Sequence, residues 1–306
     1  MVKSVNFVVL GEQTIANDFG KKGTATDITL FDRKDSDIIR TWVIPNGFPD
    51  KIQPLFQAVN LAEHVIFYVG NLDRFTGEQI IALNLMKKRD GIISHTYEVD
   101  ENRLNSMIKG TVLEQYKKVN SSEIKQEINK IKPISKDGPV KIVVDHCFDV
   151  KGVGTVVLGK VIQGKVKQYD NLKLLPAKID VMIKSIQMHD DTVQEAISPA
   201  RVGLSIKGAK VEDISRGDYI CEADSEQIQT EIELDFLQNP FYKGEITENQ
   251  MCLVSLGLQV KAAKFSSIKP VKLTLDKPIV YIKNETCVLL KPESQNIRIL
   301  GSGKLI

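Results

Sequence analysis

The sequence has few of the residues that build disulfide frameworks or metal centres. Its 306 residues include only four cysteines and four histidines, and all of them are scattered. No Cys-x2–4-Cys pair offers a zinc site, so we expect reduced, mostly buried thiols and no metal. Long apolar runs are also missing: none approaches the ~20 residues that span a bilayer, and the amino terminus shows no signal-peptide pattern. We therefore predict a cytoplasmic protein without membrane contact.

An excess of one charge sign is lacking too, because 41 Lys and Arg residues face 39 Asp and Glu residues, for a net charge of +2. A generally basic surface is therefore excluded, and any binding to nucleic acid must depend on a local patch. No Ser-His-Asp, Cys-His or paired-carboxylate spacing stands out either. We assign no catalytic residue.

The amino-terminal part of the chain does show an alternation of apolar strands and amphipathic helices. Val5–Leu10 is a continuous apolar run of the kind found in buried parallel strands. Ile28–Phe31 and Ile38–Ile44 resemble a strand pair, and Lys51–Leu61 has helical spacing of its apolar residues. This alternation predicts a doubly wound α/β sheet. Further expected elements are strands over His64–Gly70 and Gly91–His95, helices over Gly77–Lys88 and from Asp100 to Leu113, and a helix over Ile124–Ile131 opened by Asn120 and Glu123.

The character of the sequence changes after Lys132–Pro139, a stretch of Pro, Gly and charged residues typical of a linker. From Val140 to Ile306 short runs of Val, Ile and Lys are interrupted by Gly and Asp, a pattern typical of all-β barrels. A second joint is expected near Asp224–Gln229. The predicted domains are an α/β domain over 1–135, a β-barrel over 136–225 and a second β-barrel over 226–306.

One long segment resembles a known family. Asp145–Val161, with Gly152 and Gly154 where a tight hairpin excludes side chains, is similar to the second domain of translational GTPases. The order of motifs looks like elongation factor Tu and, most closely, the selenocysteine-specific elongation factor. The matching segments continue with Gly164–Val166, Asp170–Leu172, Ser185–His189, Arg201–Leu204 and Ser215–Asp218, and Arg298–Gly303 looks like the last strand of the family's third domain.

The resemblance implies a GTPase-like α/β sheet followed by two β-barrels, and it implies tRNA, the ribosome or a translation-factor protein as partners. It also implies GTP and Mg²⁺, which require a phosphate loop of the form G-x-x-x-x-G-K-[ST]. Gly11 fits the first glycine, but Glu12 adds a negative charge beside it. The next candidate, Gly20-Lys21-Lys22, comes too late and lacks the hydroxyl. This phosphate-loop region is therefore degenerate.

Two other nucleotide motifs are also missing. Val43 occupies the position of the aspartate in the family's Asp-x-Pro-Gly-His, and valine cannot hold a metal. His95–Glu98 replaces the Asn-Lys-x-Asp that selects guanine. We therefore expect no bound cofactor, no GTP hydrolysis and no GTP binding.

The residues expected near a ligand are again implied by the resemblance. Gln187, Met188 and His189 lie in the loop that borders the pocket for the aminoacylated tRNA end in elongation factor Tu, although Asp190 replaces an arginine of that factor. Gln187 would stack on or hydrogen-bond the terminal adenosine. Arg201 would either contact phosphate or form an ion pair within the barrel.

The sequence thus predicts an elongation-factor paralogue that has lost GTP chemistry and binds tRNA, the ribosome or a translation partner. Two alternatives stay open: an active GTPase with an unorthodox nucleotide site, and a protein-interaction scaffold outside translation. The partner, the oligomeric state and any involvement of selenocysteine are left open.

Overall fold

The computed structural model describes residues 2–222 and 226–306. Its first part is a seven-stranded sheet with helices on both faces, and the strand order is β2-β3-β4-β1-β5-β6-β7. The strands are β1 (Lys3–Gly11), β2 (Lys21–Ala25), β3 (Thr29–Asp35), β4 (Ile38–Ile44), β5 (His64–Val69), β6 (Gly91–His95) and β7 (Lys117–Lys118). The helices are α1 (Gln53–Leu61), α2 (Arg74–Leu85), α3 (Glu101–Ile108) and α4 (Ile124–Lys130).

This sheet confirms the predicted α/β architecture. Strand β1 runs parallel to β4 and β5 and is buried on both faces, as its continuous apolar run predicts. Asp100 caps α3 by accepting from the backbone N–H groups of Asn102 and Arg103. The Glu123 carboxylate accepts from the Asn120 N–H at the start of the last helical segment, as expected from the capping pattern.

Three local predictions are wrong. Helix α2 begins at Arg74 because Asp73 caps it through the Thr76 N–H. Helix α3 ends at Ile108, before Gly110 with its φ of +76°, and Val112–Gln115 forms a separate 3₁₀ turn. No strand was predicted between Leu10 and Ile28, but Lys21–Ala25 forms strand β2, which pairs antiparallel with β3.

The second part of the chain is a closed barrel, as predicted. Its strands follow the order β11-β16-β8-β9-β15-β12, the pairing of β11 with β12 closes the circuit, and β13 extends β12 at the edge. They are β8 (Lys141–Val150), β9 (Gly154–Gln163), β10 (Lys165–Lys167), β11 (Asn171–Leu175), β12 (Ile179–Met188), β13 (Asp191–Val193), β14 (Glu195–Ile197), β15 (Arg201–Lys207) and β16 (Tyr219–Cys221).

The third part is a six-stranded closed barrel with the order β17-β20-β19-β18-β21-β22. Of the predicted joint at Asp224–Gln229, Asp224 and Ser225 lie outside the described residues. In the described part of the chain, no helix is long and apolar enough to cross a membrane. The strands are β17 (Gln227–Gln238), β18 (Met251–Leu256), β19 (Gln259–Ile268), β20 (Val271–Tyr281), β21 (Thr286–Leu290) and β22 (Ile299–Leu305).

Candidate ligand-binding cleft between the α/β sheet and the first barrel

A cleft of about 470 Å³ separates the sheet face of β2, β3 and β4 from strands β9, β12 and β15 of the first barrel. Its floor is apolar and its rim is polar, the combination typical of sites that bind small molecules or single ligand groups. The floor is formed by Leu30, Ile39, Leu158 and Val202, and the rim by Lys21, Lys22, Asp32, Gln187, His189, Asp190 and Arg201.

The cleft brings together two groups of residues that are far apart in the sequence. Gln187, His189 and Arg201 come from the segments that resemble elongation factor Tu. Lys21 and Lys22 come from the region predicted to be a degenerate phosphate loop and lie exposed on the edge strand β2. Lys21 pairs with Asp32 and shares its cleft-facing side, whereas Lys22 pairs with Phe31 and points to the other face of the sheet. Lys21 and the barrel residues therefore face one space, which they reach from opposite domains.

Met188 does not belong to this site. Its side chain is buried in the core of the first barrel, with 2% exposed. Successive residues of a strand point to opposite faces of the sheet, so the exposure of Gln187 and His189 requires the residue between them to point inward. The expectation that Met188 contacts a ligand is wrong for this reason.

The hairpin formed by β12 and β13 is held from the other domain. His189 and Asp190 form its two-residue turn, both with positive φ, and Met188 pairs with Asp191 across it. His189 Nδ1 lies 2.8 Å from Asp32 Oδ1 of β3, and Lys34 of β3 forms an ion pair with Asp191. The hydrogen bond and the charge of Lys34 lower the pKa of the Asp191 carboxyl below its ordinary value.

Arg201 belongs to a network of alternating charges at the same domain interface. Its Nη2 donates to Asp145 Oδ2 at 3.0 Å, while Arg216 Nε donates to the Asp145 carbonyl at 3.0 Å. Arg216 Nη1 donates to both carboxylate oxygens of Asp27 in the α/β domain, at 2.8 and 3.0 Å. Burial opposes the ionisation of Asp27, but Arg216 outweighs it and lowers the pKa of that carboxyl.

The structure thus contains the ion pair that was one of the two alternatives for Arg201. Its other terminal nitrogen, Nη1, is buried and has no hydrogen-bond partner among the described residues. A guanidinium group offers five N–H donors. The ion pair with Asp145 therefore does not use every donor of Arg201, and the unused Nη1 is buried beside the cleft.

The remaining residues of the predicted degenerate phosphate-loop region, Gly11, Glu12 and Gly20, lie outside the cleft. Gly20 packs tightly, because a Cβ there would lie 2.7 Å from the Asp32 carbonyl oxygen. Gly11 has a φ of +77°, and its N–H donates to Gln79 Oε1 at 2.8 Å. The Glu12 N–H donates to the Tyr68 carbonyl at 2.7 Å. Gly11 and Glu12 therefore do not form one loop with the lysines.

The segment after β1 also differs in kind from a phosphate loop. It forms a 3₁₀ helix over Gln13–Asp18 and then enters β2. A phosphate loop relies on free backbone N–H groups at the amino terminus of an α-helix. At the positions of the other two motifs, Val43 is fully buried in the core and His95 Nδ1 lies 2.8 Å from the Thr96 carbonyl oxygen.

Sequence reasoning missed Asp27, Asp32 and Lys34, which connect the α/β domain to the first barrel, and Asp145, which links Arg201 to Arg216 within that barrel. Their partners lie between about 50 and 190 positions away. No local pattern signals such a pairing. Only the run of polar residues from Asp32 to Asp35 indicates that this end of β3 is not buried in a core.

Comparison with known proteins agrees with this architecture. The sequence model of the family described as elongation factor Tu domain 2 matches residues 154–221. An uncharacterised protein of Methanocaldococcus jannaschii is 33% identical over 297 residues, which cover 95% of this chain and 96% of that protein. The selenocysteine-specific elongation factor of the same organism is 37% identical over 107 residues, 35% of this chain and 21% of that factor.

Among solved structures, the translation elongation factor SelB of Methanococcus maripaludis, in complex with the GTP analogue GppNHp, has a TM-score of 0.84. The superposition covers 99% of this chain and 79% of that one at 20% sequence identity, and it shows a shared fold. The chain therefore belongs to the family of the Methanocaldococcus jannaschii protein, within the translational GTPase superfamily, and is a paralogue of the translation elongation factors.

Proposed function

We propose that this elongation-factor paralogue binds tRNA at the cleft between its α/β domain and its first barrel, and that it does so without GTP. One observation carries the proposal: the cleft places Lys21, from the region predicted to be a degenerate phosphate loop, opposite Gln187, His189 and Arg201, which the family resemblance implies near a ligand.

The lining of the cleft suits the end of a nucleic acid chain. A base stacks on an apolar surface, here Leu30, Leu158 and Val202, while amide and hydroxyl groups are recognised by polar side chains at the rim. Arg201 and Lys21 supply positive charge for phosphate. The chain as a whole is nearly neutral, so this local arrangement has to provide the attraction.

The second half of the proposal is the loss of GTP. The N–H groups of Gly11 and Glu12, at the start of the segment where a phosphate loop would lie, donate to Gln79 and to the Tyr68 carbonyl. The helix that would follow them is replaced by the short 3₁₀ segment Gln13–Asp18. These features support the inference from the missing motifs that no GTP or Mg²⁺ is held.

The proposal predicts that a fluorescent GTP analogue with Mg²⁺ shows no saturable binding below ~1 mM, the weak end of the affinity scale. Calorimetric or fluorescence titration of the purified chain measures this. Micromolar binding that unlabelled GTP competes away would contradict it and would favour the alternative of an active GTPase with an unorthodox site.

For tRNA binding, the probes are total aminoacylated tRNA and the same tRNA after deacylation, each titrated across a salt series without nucleotide. Gln187→Ala and Arg201→Ala should weaken binding, because each removes a polar group from the cleft. Loss of one phosphate contact at Arg201 should also lower the slope of log K against log salt by roughly one unit. Gln194→Ala, an exposed change on the same barrel outside the cleft, is the matched control.

Binding that is unchanged in both cleft variants, with folding intact, would contradict the proposal. It would move the function to another surface and favour a protein-interaction scaffold. Capture of ribosomes without tRNA binding would instead place the chain on the ribosome by another route.

A further inference from the structure

The barrel wall of the cleft includes a hairpin that is held from two sides: Met188 and Val193 pack on the core of the first barrel, and the turn contacts the α/β domain. Strand β13 spans only Asp191–Val193 and lies at the edge of its sheet, where β12 is its hydrogen-bonded neighbour. The turn that joins them has two non-glycine residues with positive φ, His189 at +47° and Asp190 at +68°. Such backbone persists when surrounding contacts hold it in place.

Those contacts come from strand β3 of the α/β domain. Asp32 Oδ1 lies 2.8 Å from His189 Nδ1 at the first turn position, and Lys34 pairs with Asp191 just after the turn. Asp32 and Lys34 are two residues apart on one strand, so their side chains share a face and hold both sides of the turn. Gln187 precedes this turn by two residues on β12 and pairs with Thr192 of β13 on one side and Gly203 of β15 on the other.

We propose that Asp32 is a positioning residue of the cleft: acting through His189, it fixes the β12–β13 hairpin and thereby the ligand-facing side chains of the barrel. This inference rests on the proposed tRNA site. The α/β domain then has a role that needs no nucleotide, because its strand β3 holds the β12–β13 hairpin of the first barrel across the cleft.

The two cross-domain pairs are too exposed to be explained by overall stability. The side chains of His189 and Asp32 are 31% and 35% exposed, and exposed ion pairs contribute little to the free energy of folding. Their effect should therefore be local. Removing Asp32 should leave the melting transition in place while it frees the hairpin.

The experiment compares Asp32→Ala, Asp32→Asn and the control Asp37→Ala. Asp37 lies exposed in the turn between β3 and β4, so its replacement removes the same charge from the same hairpin without touching the cleft. We expect Asp32→Ala to weaken tRNA binding about as much as His189→Ala does, and the double variant to be no weaker than either. Asp32→Asn keeps an oxygen acceptor for His189 and should restore most of the binding.

A second measurement does not depend on tRNA. With only four histidines in the chain, the ring resonances of His189 are readily assigned in nuclear magnetic resonance spectra. Asp32→Ala should shift the His189 ring nitrogen signals and the Gln187 side-chain amide, whereas Asp37→Ala should leave both in place.

These outcomes separate the inference from the function on which it rests. Wild-type binding by Asp32→Ala, together with weak binding by Gln187→Ala, would overturn the positioning role and leave the tRNA site intact. If Gln187→Ala and Arg201→Ala both bind normally, the tRNA site is wrong, and unchanged His189 and Gln187 signals in Asp32→Ala would then overturn the positioning role as well.

Discussion

At the scale of single residues, Lys88 shows how burial at a domain interface can lower the pKa of a lysine. Its Nζ donates to the Ala62 carbonyl at the end of α1, at 2.5 Å. Lys160, from the first barrel, donates to the neighbouring Leu61 carbonyl at 2.7 Å and pairs with Glu63. Burial and then the charge of Lys160 lower the pKa of Lys88 to about 8. Two amines thus meet at one helix end, where the carbonyl groups favour positive charge.

This arrangement predicts a pH-dependent stability. The lysine of the unfolded chain, with a pKa of 10.5, binds more protons than the folded chain between about pH 8 and pH 10.5. Stability rises with pH wherever the unfolded state binds more protons. The destabilising contribution of Lys88 is therefore fully present below pH 8 and fades as the pH rises toward 10.5.

The measurement is urea denaturation of the wild type and of Lys88→Met across this pH range. The free energy of unfolding of the wild type should rise relative to that of Lys88→Met as the pH rises, because only the wild type carries the lysine whose pKa is lowered. Lys87→Met, at the exposed neighbouring position, should follow the wild-type curve. Parallel curves for wild type and Lys88→Met would contradict the lowered pKa.

At the scale of elements, the sequence predicted strands and barrels well and connections less well. Strands β1, β4 and β6 follow from continuous apolar runs. Both barrels follow from short runs of Val, Ile and Lys that are interrupted by Gly and Asp. Strand β2 was missed because Lys21-Lys22-Gly23 has no strand periodicity and becomes a strand by pairing with β3. Tertiary pairing overrides local preference in such cases. Met188, in contrast, could have been excluded by the alternation along β12.

The same contrast predicts where proteases cut first. Residues 132–137 have neither helix nor strand and are mostly exposed, while Lys21 and Lys22 now lie in a paired strand. Cleavage needs locally unfolded backbone. Brief trypsin treatment should cut after Lys136 before it cuts after Lys21 or Lys22, and mass spectrometry of the fragments measures this order.

The control is a variant that carries Lys136→Gln and Lys132→Gln and so has no trypsin site in this coil. Cleavage after Lys132 is already disfavoured in the wild type because Pro133 follows it. This variant should lose the early fragments and keep its melting temperature. Early cleavage at Lys21 or Lys22 in the wild type would instead mean that β2 opens readily and that the α/β wall of the cleft is not a fixed strand.

At the scale of the whole molecule, polar contacts join the α/β domain to both barrels. The most buried is the pair of Glu78 on α2 and Arg298 beside β22, with 0% and 5% of their side chains exposed. Arg298 donates to both Glu78 oxygens through Nε and Nη2 and to the Pro49 carbonyl through Nη1. Its guanidinium carbon lies 5.6 Å from the Phe48 ring centroid and 5.7 Å from that of Phe75.

Other contacts of this kind extend the interface. Gln57 Nε2 donates to the Leu258 carbonyl of the second barrel at 2.9 Å, and Asn60 Nδ2 donates to the Gly257 carbonyl at 2.7 Å. Asn6 Nδ2 donates to the Pro199 carbonyl of the first barrel at 2.9 Å. The sequence could not predict these pairs, because each joins residues about 190 or more positions apart. Together they support one arrangement of the three domains.

The last prediction tests the strongest of these contacts. Replacing Glu78 with Gln leaves the Arg298 charge buried without its counter-ion, and breaking one partner of a buried pair destabilises by about 3–5 kcal/mol. The double variant Glu78→Leu with Arg298→Met buries no charge and should recover much of that loss. The exposed pair Lys173–Asp180 is the control, since Asp180→Asn should cost no more than about 1 kcal/mol.

Urea denaturation gives the free energies, and small-angle scattering gives the arrangement of the domains. In Glu78→Gln we expect a lower unfolding midpoint and a larger radius of gyration, because the third domain is released from the α/β domain. The double variant should regain the compact profile. A wild-type midpoint in Glu78→Gln would mean that the pair contributes nothing to the interface and that the apolar contacts around Phe48 and Phe75 hold the domains together by themselves.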